Sequence, residues 1–230
     1  MALTLPPLDE KAATVREMFD RIAPGYERLN TLLTFGLDRG WRRAAIAAAG
    51  IGPGSLVIDL ACGTGDLAAL AARAGARVVG IDFARAMLAR ARGRGASLVQ
   101  ADAAALPLRD ARADAVTCGF ALRNVVSVPQ VLAEAARVLR PGGRLALLEV
   151  AEPRRAMLRW GHRLYFHRVV PLVGGLLADR RAYAYLPAST EYLPDPVTLC
   201  AQLDAAGFAA PRRRLLGAGS VQLVTAERSP

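Results

Sequence analysis

Apolar positions along the chain change period several times, and each change predicts a change of element. Between residues 10 and 23, Val15, Met18, Phe19 and Ile22 recur at helical spacing, which predicts an amphipathic helix. Pro24-Gly25 breaks it. A second helical stretch runs from about Asp38 to Ala49 and stops at Gly50, with Gly52-Pro53-Gly54 as a turn. The pattern then shifts to short, continuous apolar runs: Ser55–Asp59, Ala76–Ile81, Ser97–Gln100, Ala113–Cys118 and Arg144–Glu149. Runs of this kind are what strands buried on both faces of a parallel sheet show. Helical stretches separate them, one opening at Asp66 and running to about Ala74, one ending near Arg92, and one over 127–139 that Pro141-Gly142-Gly143 closes.

Strands alternating with helices at this rhythm predict βαβ units, a parallel sheet and right-handed crossovers, hence a doubly wound arrangement. After Glu149 the alternation stops. Residues 154–186 are rich in aromatic residues and arginine and read as helical, with breaks near Pro171 and Gly174-Gly175. Residues 195–206 read as one more helix. Gly207–Leu215 and Val221–Thr225 are close enough to pair as a hairpin, so the sheet is expected to finish with antiparallel strands. No repeat and no Ser/Gly- or Pro-rich linker divides the 230 residues, and only the first few residues and the extreme C-terminus are expected to lack order. The expected organisation is one domain: 1–50 an N-terminal helical cap, 51–150 a ligand-binding core, 151–194 a helical lid, and 195–230 the last helix and hairpin.

Candidate chemistry gathers where strands end. Asp59-Leu-Ala-Cys-Gly63-Thr64-Gly65-Asp66 places two glycines where the chain turns from strand to helix, and glycine accepts positive φ and lets a ligand approach the backbone. Ligands of such sheets bind outside the carboxyl ends of the strands. Gly63, Gly65 and Ala68 also fit the degenerate dinucleotide fingerprint G-x-G-x-x-A, and Asp82 after the second strand suits ribose hydroxyls under either reading. Three features favour S-adenosyl-L-methionine over a dinucleotide. Asp59 and Asp66 make the turn negative, which suits a sulfonium and an ammonium group and repels a pyrophosphate. Asp102-Ala103 follows the third strand, where a carboxylate meets the adenine edge. The terminal hairpin is expected of class I methyltransferases and less so of dehydrogenases.

The sequence then resembles a known family, the ubiquinone/menaquinone biosynthesis C-methyltransferases, from about Val15 to Val224. Val57–Asp66 and Val138–Gly143 are shared by many methyltransferases. Four stretches are more specific: Phe19–Asn30 with Leu32, Leu33, Gly36 and Trp41; Phe120–Val125; Arg140–Glu149; and Tyr165-Phe-His167 with Pro171, Gly174 and Tyr183–Leu186. The chain departs from the family at Asp38 (usually basic or aromatic), Val150 (usually Phe) and Gly119, where a cofactor-binding Ser is common. The resemblance implies a class I S-adenosylmethionine methyltransferase fold, Rossmann-like, with a mostly parallel seven-stranded sheet, an antiparallel terminal hairpin, N-terminal helices and a helical insertion before the last helix. It implies cofactor contacts at Thr64, Asp82, Asp102 and Ala103, with Asp59, Gly63, Gly65 and Gly119 around them. Tyr26, Arg123 and Asn124 are then expected to face cofactor and substrate.

The expected reaction is C-methylation of a prenylated quinol, demethylmenaquinol ahead of a ubiquinone-pathway benzoquinol because the chain is short. Another phenolic or lipid acceptor, an NAD-dependent oxidoreductase and a non-catalytic binding module are the competing readings. No residue announces itself as the base. Arg123 suits a phenolate stabiliser and Asn124 an orienter of water or of the quinol oxygen; His167 and Tyr26 are the further catalytic candidates. Arg123 has a plain alternative as an ion-pair partner, and His167 as a hydrogen-bonded structural residue.

Composition alters little. The net charge of +10 is almost all arginine, Lys11 being the single lysine, and it is spread along the chain, so no nucleic-acid partner is expected. Arg212–Arg214 reads as a solvated strand face. Three cysteines at wide spacing build neither a disulfide framework nor a CxxC metal site, so no metal is expected. No export signal and no apolar run of spanning length is seen, which predicts a cytoplasmic protein. Trp160, Tyr165, Phe166 and Leu172 among Arg154, Arg155, Arg159, Arg163 and Arg168 suit an interfacial helix on anionic lipid, or equally a helix packed on the sheet. Peripheral membrane contact is therefore an expectation, and a homodimer stays open.

Overall fold

The computed structural model describes residues 5–177 and 179–230; the expected disorder of the first few residues falls on Met1–Thr4, outside that range. Three helices come first: α1 (Leu8–Ile22), α2 (Tyr26–Leu33) and α3 (Asp38–Ala48). The alternating core follows as β1 (Leu56–Leu60), α4 (Asp66–Arg73), β2 (Arg77–Asp82), α5 (Arg85–Ala91), β3 (Ala96–Gln100), β4 (Ala113–Gly119), α6 (Val128–Val138) and β5 (Leu139–Val150). Then come α7 (Ala156–Leu164), a π turn (Tyr165–Val169), α8 (Val170–Leu177), α9 (Arg180–Ala188), α10 (Pro196–Ala205), β6 (Phe208–Leu216) and β7 (Val221–Arg228).

The seven strands form one sheet in the order β3-β2-β1-β4-β5-β7-β6. β1 to β5 pair in parallel, β7 inserts antiparallel beside β5, and β6 pairs antiparallel with β7 at the edge. Period-2 geometry sends alternate side chains to opposite faces. Ile58, Val116, Leu145, Leu147 and Val224 pack on one face with Leu132 of α6 and Leu203 of α10. Val57, Ala115, Ala146, Leu148 and Leu223 pack on the other with Ile46 of α3 and Leu67 of α4. Both faces are therefore covered, which explains why the strands read as unbroken apolar runs. On the edge strand β6, Arg212 and Arg214 are exposed, as a solvated face requires, and charge there discourages edge-to-edge pairing.

A third apolar cluster lies outside the sheet. Val15, Met18 and Ile22 of α1, Leu29 of α2, Val170 of α8 and Tyr183 of α9 meet Met87 of α5. Polar ties fasten this cap to the core. The Lys11 ammonium, almost fully buried, donates to the Val125 carbonyl at 2.7 Å and lies 3.5 Å over the Tyr192 ring. Burial pulls its pKa down to about 8. Asp20 accepts the Ala86 N–H at 2.8 Å in the first turn of α5, and the Tyr165 hydroxyl donates to the Leu33 carbonyl at 2.8 Å.

Three elements differ from the sequence expectation. α2 was not expected, because its single buried residue, Leu29, gives no period to read. β5 starts five residues early and runs through Pro141-Gly142-Gly143, the register jumping from Ala113↔Leu139 to Ala115↔Arg144 as a bulge absorbs the extra residues. Pro171 and Gly174-Gly175 do not break the helix. Pro171 sits in the first turn of α8, after a wide turn in which the Val170 N–H bonds back to the Tyr165 carbonyl, where a missing N–H costs least. Gly174 is a packing surface: a Cβ there would stand 2.1 Å from Cγ of Tyr183.

Gly174→Ala should therefore destabilise the protein by about 1–3 kcal/mol in urea unfolding, through overpacking of α8 on α9. Gly161→Ala in α7, where an added Cβ meets nothing within 4 Å, should be neutral or raise stability by up to about 1 kcal/mol.

Candidate functional site

The glycine turn after β1 is held by carboxylates from two strands. Asp59, fully buried, accepts the Ala68 N–H of α4 at 3.0 Å and the Thr117 hydroxyl of β4 at 2.7 Å. Asp82, at the end of β2, accepts the Gly63 N–H at 2.8 Å with one oxygen and the Ala84 N–H at 2.8 Å with the other. Burial pushes the Asp59 carboxyl up to about 7, against the hydrogen bonds from Thr117 and Ala68. Burial likewise lifts Asp82 to about 6, against the N–H groups of Ala84 and Gly63. Gly63 (φ 56°) and Gly65 (φ 86°) are both left-handed. A Cβ on Gly63 would enter open space, whereas one on Gly65 would meet Ala91 Cβ at 3.1 Å. The first glycine leaves room for a ligand and the second for the neighbouring helix. Ala61 (φ 48°) and Phe120 (φ 59°), at the tips of β1 and β4, also take this conformation. Non-glycine residues do so rarely and at a cost, and such positions gather at functional sites.

Two cavities open over these tips. The first is lined by Gly63, Asp82, Asp102, Ala103, Gly119 and Asn124 among others, and among the described residues no Lys, Arg or His lines it. A small hollow beside it is bounded by Asp59, Thr64, Asp66 and Arg42. The second cavity, about 270 Å³, is lined by Tyr26, Leu33, Trp41, Arg123, His162 and Phe166 among others. Tyr26, the first residue of α2, lines all three spaces and so stands between them.

Arg123 and Asn124 lie on a short 3₁₀ turn after β4, both buried. The Arg123 guanidinium donates to the Glu149 carboxylate at 2.5 Å and to the Phe120 carbonyl at 2.8 Å, so the ion-pair alternative holds for this residue. Its Nε and the Asn124 Oδ1 are buried without a partner. Arg42 pairs with Asp38 on its own helix and with Asp66 at 3.2 Å, while Arg94 pairs with Asp66 at 3.0 Å and with Glu27. This chain of charges ties α2 and α3 of the cap to the first turn of α4.

The chain matches the ubiE/COQ5 methyltransferase family over residues 8–227. The chain belongs to that family. It is 43% identical over 228 residues to the demethylmenaquinone methyltransferase of Roseiflexus castenholzii, covering 96% of each chain. It is 46% identical over 220 residues to the protein of that name from Thermus thermophilus, covering 92% of this chain and 100% of the relative. It is 41% identical to the ubiquinone/menaquinone biosynthesis C-methyltransferase UbiE of Syntrophotalea carbinolica, covering 93% and 94%. The fold is also that of a solved S-adenosylmethionine-dependent methyltransferase from Thermotoga maritima, with a TM-score of 0.65 at 19% identity over 94% of this chain and 100% of that one.

This is an S-adenosylmethionine-dependent methyltransferase, and the chemistry of its first cavity fits that cofactor. Carboxylates at two strand tips and the absence of a lining cation suit a positively charged sulfur nucleoside. Gly63 leaves the open space a close-lying ligand needs, and the buried Asn124 oxygen lacks a donor that a ligand can supply. The structure brings together on these walls every sequence-predicted residue except Gly65, which faces α5, and His167. His167 is exposed on the outer side of the π turn and lines neither cavity. Sequence reasoning missed Arg42, which the i, i+4 pair with Asp38 could have flagged. It also missed His162, which stacks on Phe166 with ring centroids 5.5 Å apart. Asp38 departs from the family pattern and is buried as the partner of Arg42 and of the Thr34 hydroxyl, at 3.0 Å from the latter. At Gly119 a Cβ would approach Leu67 Cδ1 to 2.8 Å, so a larger residue needs that side chain to move.

Glu149→Gln removes the counter-charge of a buried guanidinium. Stability in urea unfolding should fall by about 3–5 kcal/mol, as for other broken buried pairs.

Proposed function

We propose that this methyltransferase transfers the methyl group to a ring carbon of a prenylated quinol, demethylmenaquinol being the favoured acceptor. The observation that carries the reading is the second cavity. It is largely apolar, it meets the cofactor cavity at Tyr26, it holds two buried guanidiniums, Arg42 and Arg123, and its rim carries exposed Phe35 and Leu37. A flat ring fits inside and an apolar tail leaves over that rim. The relatives' printed names point to the same acceptor class.

On this reading the chain divides the work by element. Asp82 accepts hydrogen bonds from the ribose, Asp102 and Ala103 meet the adenine edge, and Asp59, Gly63, Thr64, Gly65 and Gly119 shape the methionyl side. When bound, the cofactor supplies an electrophilic methyl group. Tyr26 keeps the ring carbon in line with that methyl, a positioning effect worth several kcal/mol. Arg123 stabilises the negative charge that develops on the quinol oxygen, and Asn124 orients that oxygen or a water. The described residues of 1–50 and of 151–194 form the cover that excludes solvent, around the 51–150 core and the 195–230 closure of the sheet.

The acceptor lives in a bilayer, and the cover has a face suited to one. Met157 (82% exposed), Trp160 (70%), Leu164 and Leu172 stand out from α7 and α8, with Arg155, Arg159 and Arg168 exposed beside them. Apolar side chains rimmed by arginine favour the surface of an anionic membrane. No described helix is long and apolar enough to cross one.

Incubation with labelled S-adenosylmethionine and a panel of prenylated quinols should give a ring-methylated product by mass analysis; no methylated quinol from any member ends this reading. Arg123→Lys keeps the charge against Glu149 and gives up the planar fork. It should lower kcat on the order of 10²-fold while calorimetry finds cofactor affinity unchanged. Flotation with anionic vesicles at moderate salt should carry the protein upward. A protein that stays at the bottom and sediments as a dimer would assign the α7–α8 face to a second copy instead.

A further inference from the structure

One titratable ring in the wall of the second cavity has no task in the scheme above. His162, in the last turns of α7, lines that cavity together with Arg123 and Tyr26. It stacks on Phe166, one turn on, with planes 16° apart, so the ring is held in one orientation. Its Nδ1 is buried and has no hydrogen-bond partner.

The charged groups around it are already engaged. Arg123 is bound by Glu149, and Arg42 by Asp38. Glu152, ahead of α7, accepts from Arg163 at 2.8 and 3.0 Å. The Tyr165 hydroxyl is donated to Leu33. Tyr26 remains as a phenol, a hydrogen-bond donor and acceptor. Arg159 and His167 lie on the same helical run, three residues before it and five after. Among the described lining residues, His162 is thus the imidazole left without a hydrogen-bond partner at Nδ1.

We propose that His162 is a catalytic residue that takes the hydroxyl proton of the quinol as the ring carbon takes the methyl group. This rests on the quinol acceptor argued above. The O–H electron pair moves into the ring, the carbon–methyl bond forms and the sulfur–methyl bond breaks, leaving a neutral thioether. The ring C–H proton then returns to the oxygen through water and restores the aromatic quinol. His162 releases its proton to solvent, so one proton is produced per turnover. Arg123 is a charge stabiliser in this arrangement and is not asked to accept a proton.

The imidazole must be neutral to do this. Burial holds it below the ordinary value of 6.5, against the nearby Glu152 carboxylate and with the help of His167. A group with a lowered pKa is neutral above that pKa and charged below it. Hence kcat, read at saturating cofactor so that the Asp59 and Asp82 carboxyls of the cofactor site act on KM instead, should fall as pH drops through a value under 6.5.

The test uses the full chain with S-adenosylmethionine and the best quinol of the panel. H162F keeps the stack on Phe166 and removes both nitrogens; kcat should fall on the order of 10²-fold or more, with S-adenosylhomocysteine affinity by calorimetry within about twofold of wild type. H162Q keeps a hydrogen-bonding group that does not titrate; it should retain part of the activity and lose the acid limb of the kcat profile at saturating cofactor. H162F with kcat within about threefold of wild type, or an acid limb that survives in H162Q, overturns the proposal. If H162F does not fold, the H162Q profile decides alone. A wild-type protein that methylates no quinol fails the acceptor reading, and this one with it; an active wild type matched by H162F fails only the role of His162.

Discussion

The structure depends on buried carboxylates being satisfied by backbone and hydroxyl donors at the ends of β1 and β2. Asp59 is buried at the end of β1 and joins that strand to α4 and to β4 through Ala68 and Thr117. Asp82 does the same from β2, through Gly63 and Ala84. A carboxyl group removed from water without partners is costly, so each fixes the elements that satisfy it. The glycine turn is therefore clamped from both sides before any ligand arrives, which is what a site needs if binding is not to be spent on ordering the loop. The left-handed Ala61 and Phe120 flank this clamp; the backbone energy they cost is tolerable because the surrounding hydrogen bonds leave no alternative path.

The two cavities differ in electrostatics in the way the reaction requires. The main cofactor cavity has carboxylates and, among the described residues, no lining cation; Arg42, at the hollow beside it, is paired with Asp38 and Asp66. The acceptor side has guanidiniums and an imidazole, with the charges of Arg42 and Arg123 balanced by Asp38 and Glu149. Methyl transfer moves positive charge away from sulfur as negative charge is drawn out of the quinol oxygen. The carboxylates hold the sulfonium as the cofactor binds, the Arg123 guanidinium holds the negative charge left on oxygen once the hydroxyl proton departs, and both orientations are set before the reaction begins. The separation is possible because the carboxylates come from strand tips, whereas the cations come from the cap and from the turn after β4.

Much of this was legible in the sequence, for physical reasons particular to certain residues. Strands covered on both faces must be apolar throughout, so β1, β2 and β4 announce themselves. Asp59, Asp82 and Asp102 are visible because each directly ends or follows a strand. The family signatures placed Tyr26, Arg123 and Asn124 on the cavity walls. What was hidden depended on tertiary contact. α2 buries only Leu29, so its period is unreadable. Gly174 looks like a breaker until Tyr183 is seen against it. His167 was named because it stands in the Tyr165-Phe-His167 signature, whereas α7 buries no residue, so periodicity gives no inward face that would single out His162.

That bare helix also says how the cap works mechanically. A helix of nine residues is marginal alone and ordinarily owes its stability to a buried stripe. α7 has none and is carried by its continuity with the π turn and α8, which Tyr165 anchors to α2. The cofactor side of the cap, by contrast, is held by Lys11, Asp20 and the chain of ion pairs from Glu27 to Asp66. Opening there breaks several buried or half-buried polar contacts at once; moving α7 breaks few. The free-energy cost of admitting a bulky apolar acceptor is therefore lowest over the second cavity, the end where the exposed apolar surface lies.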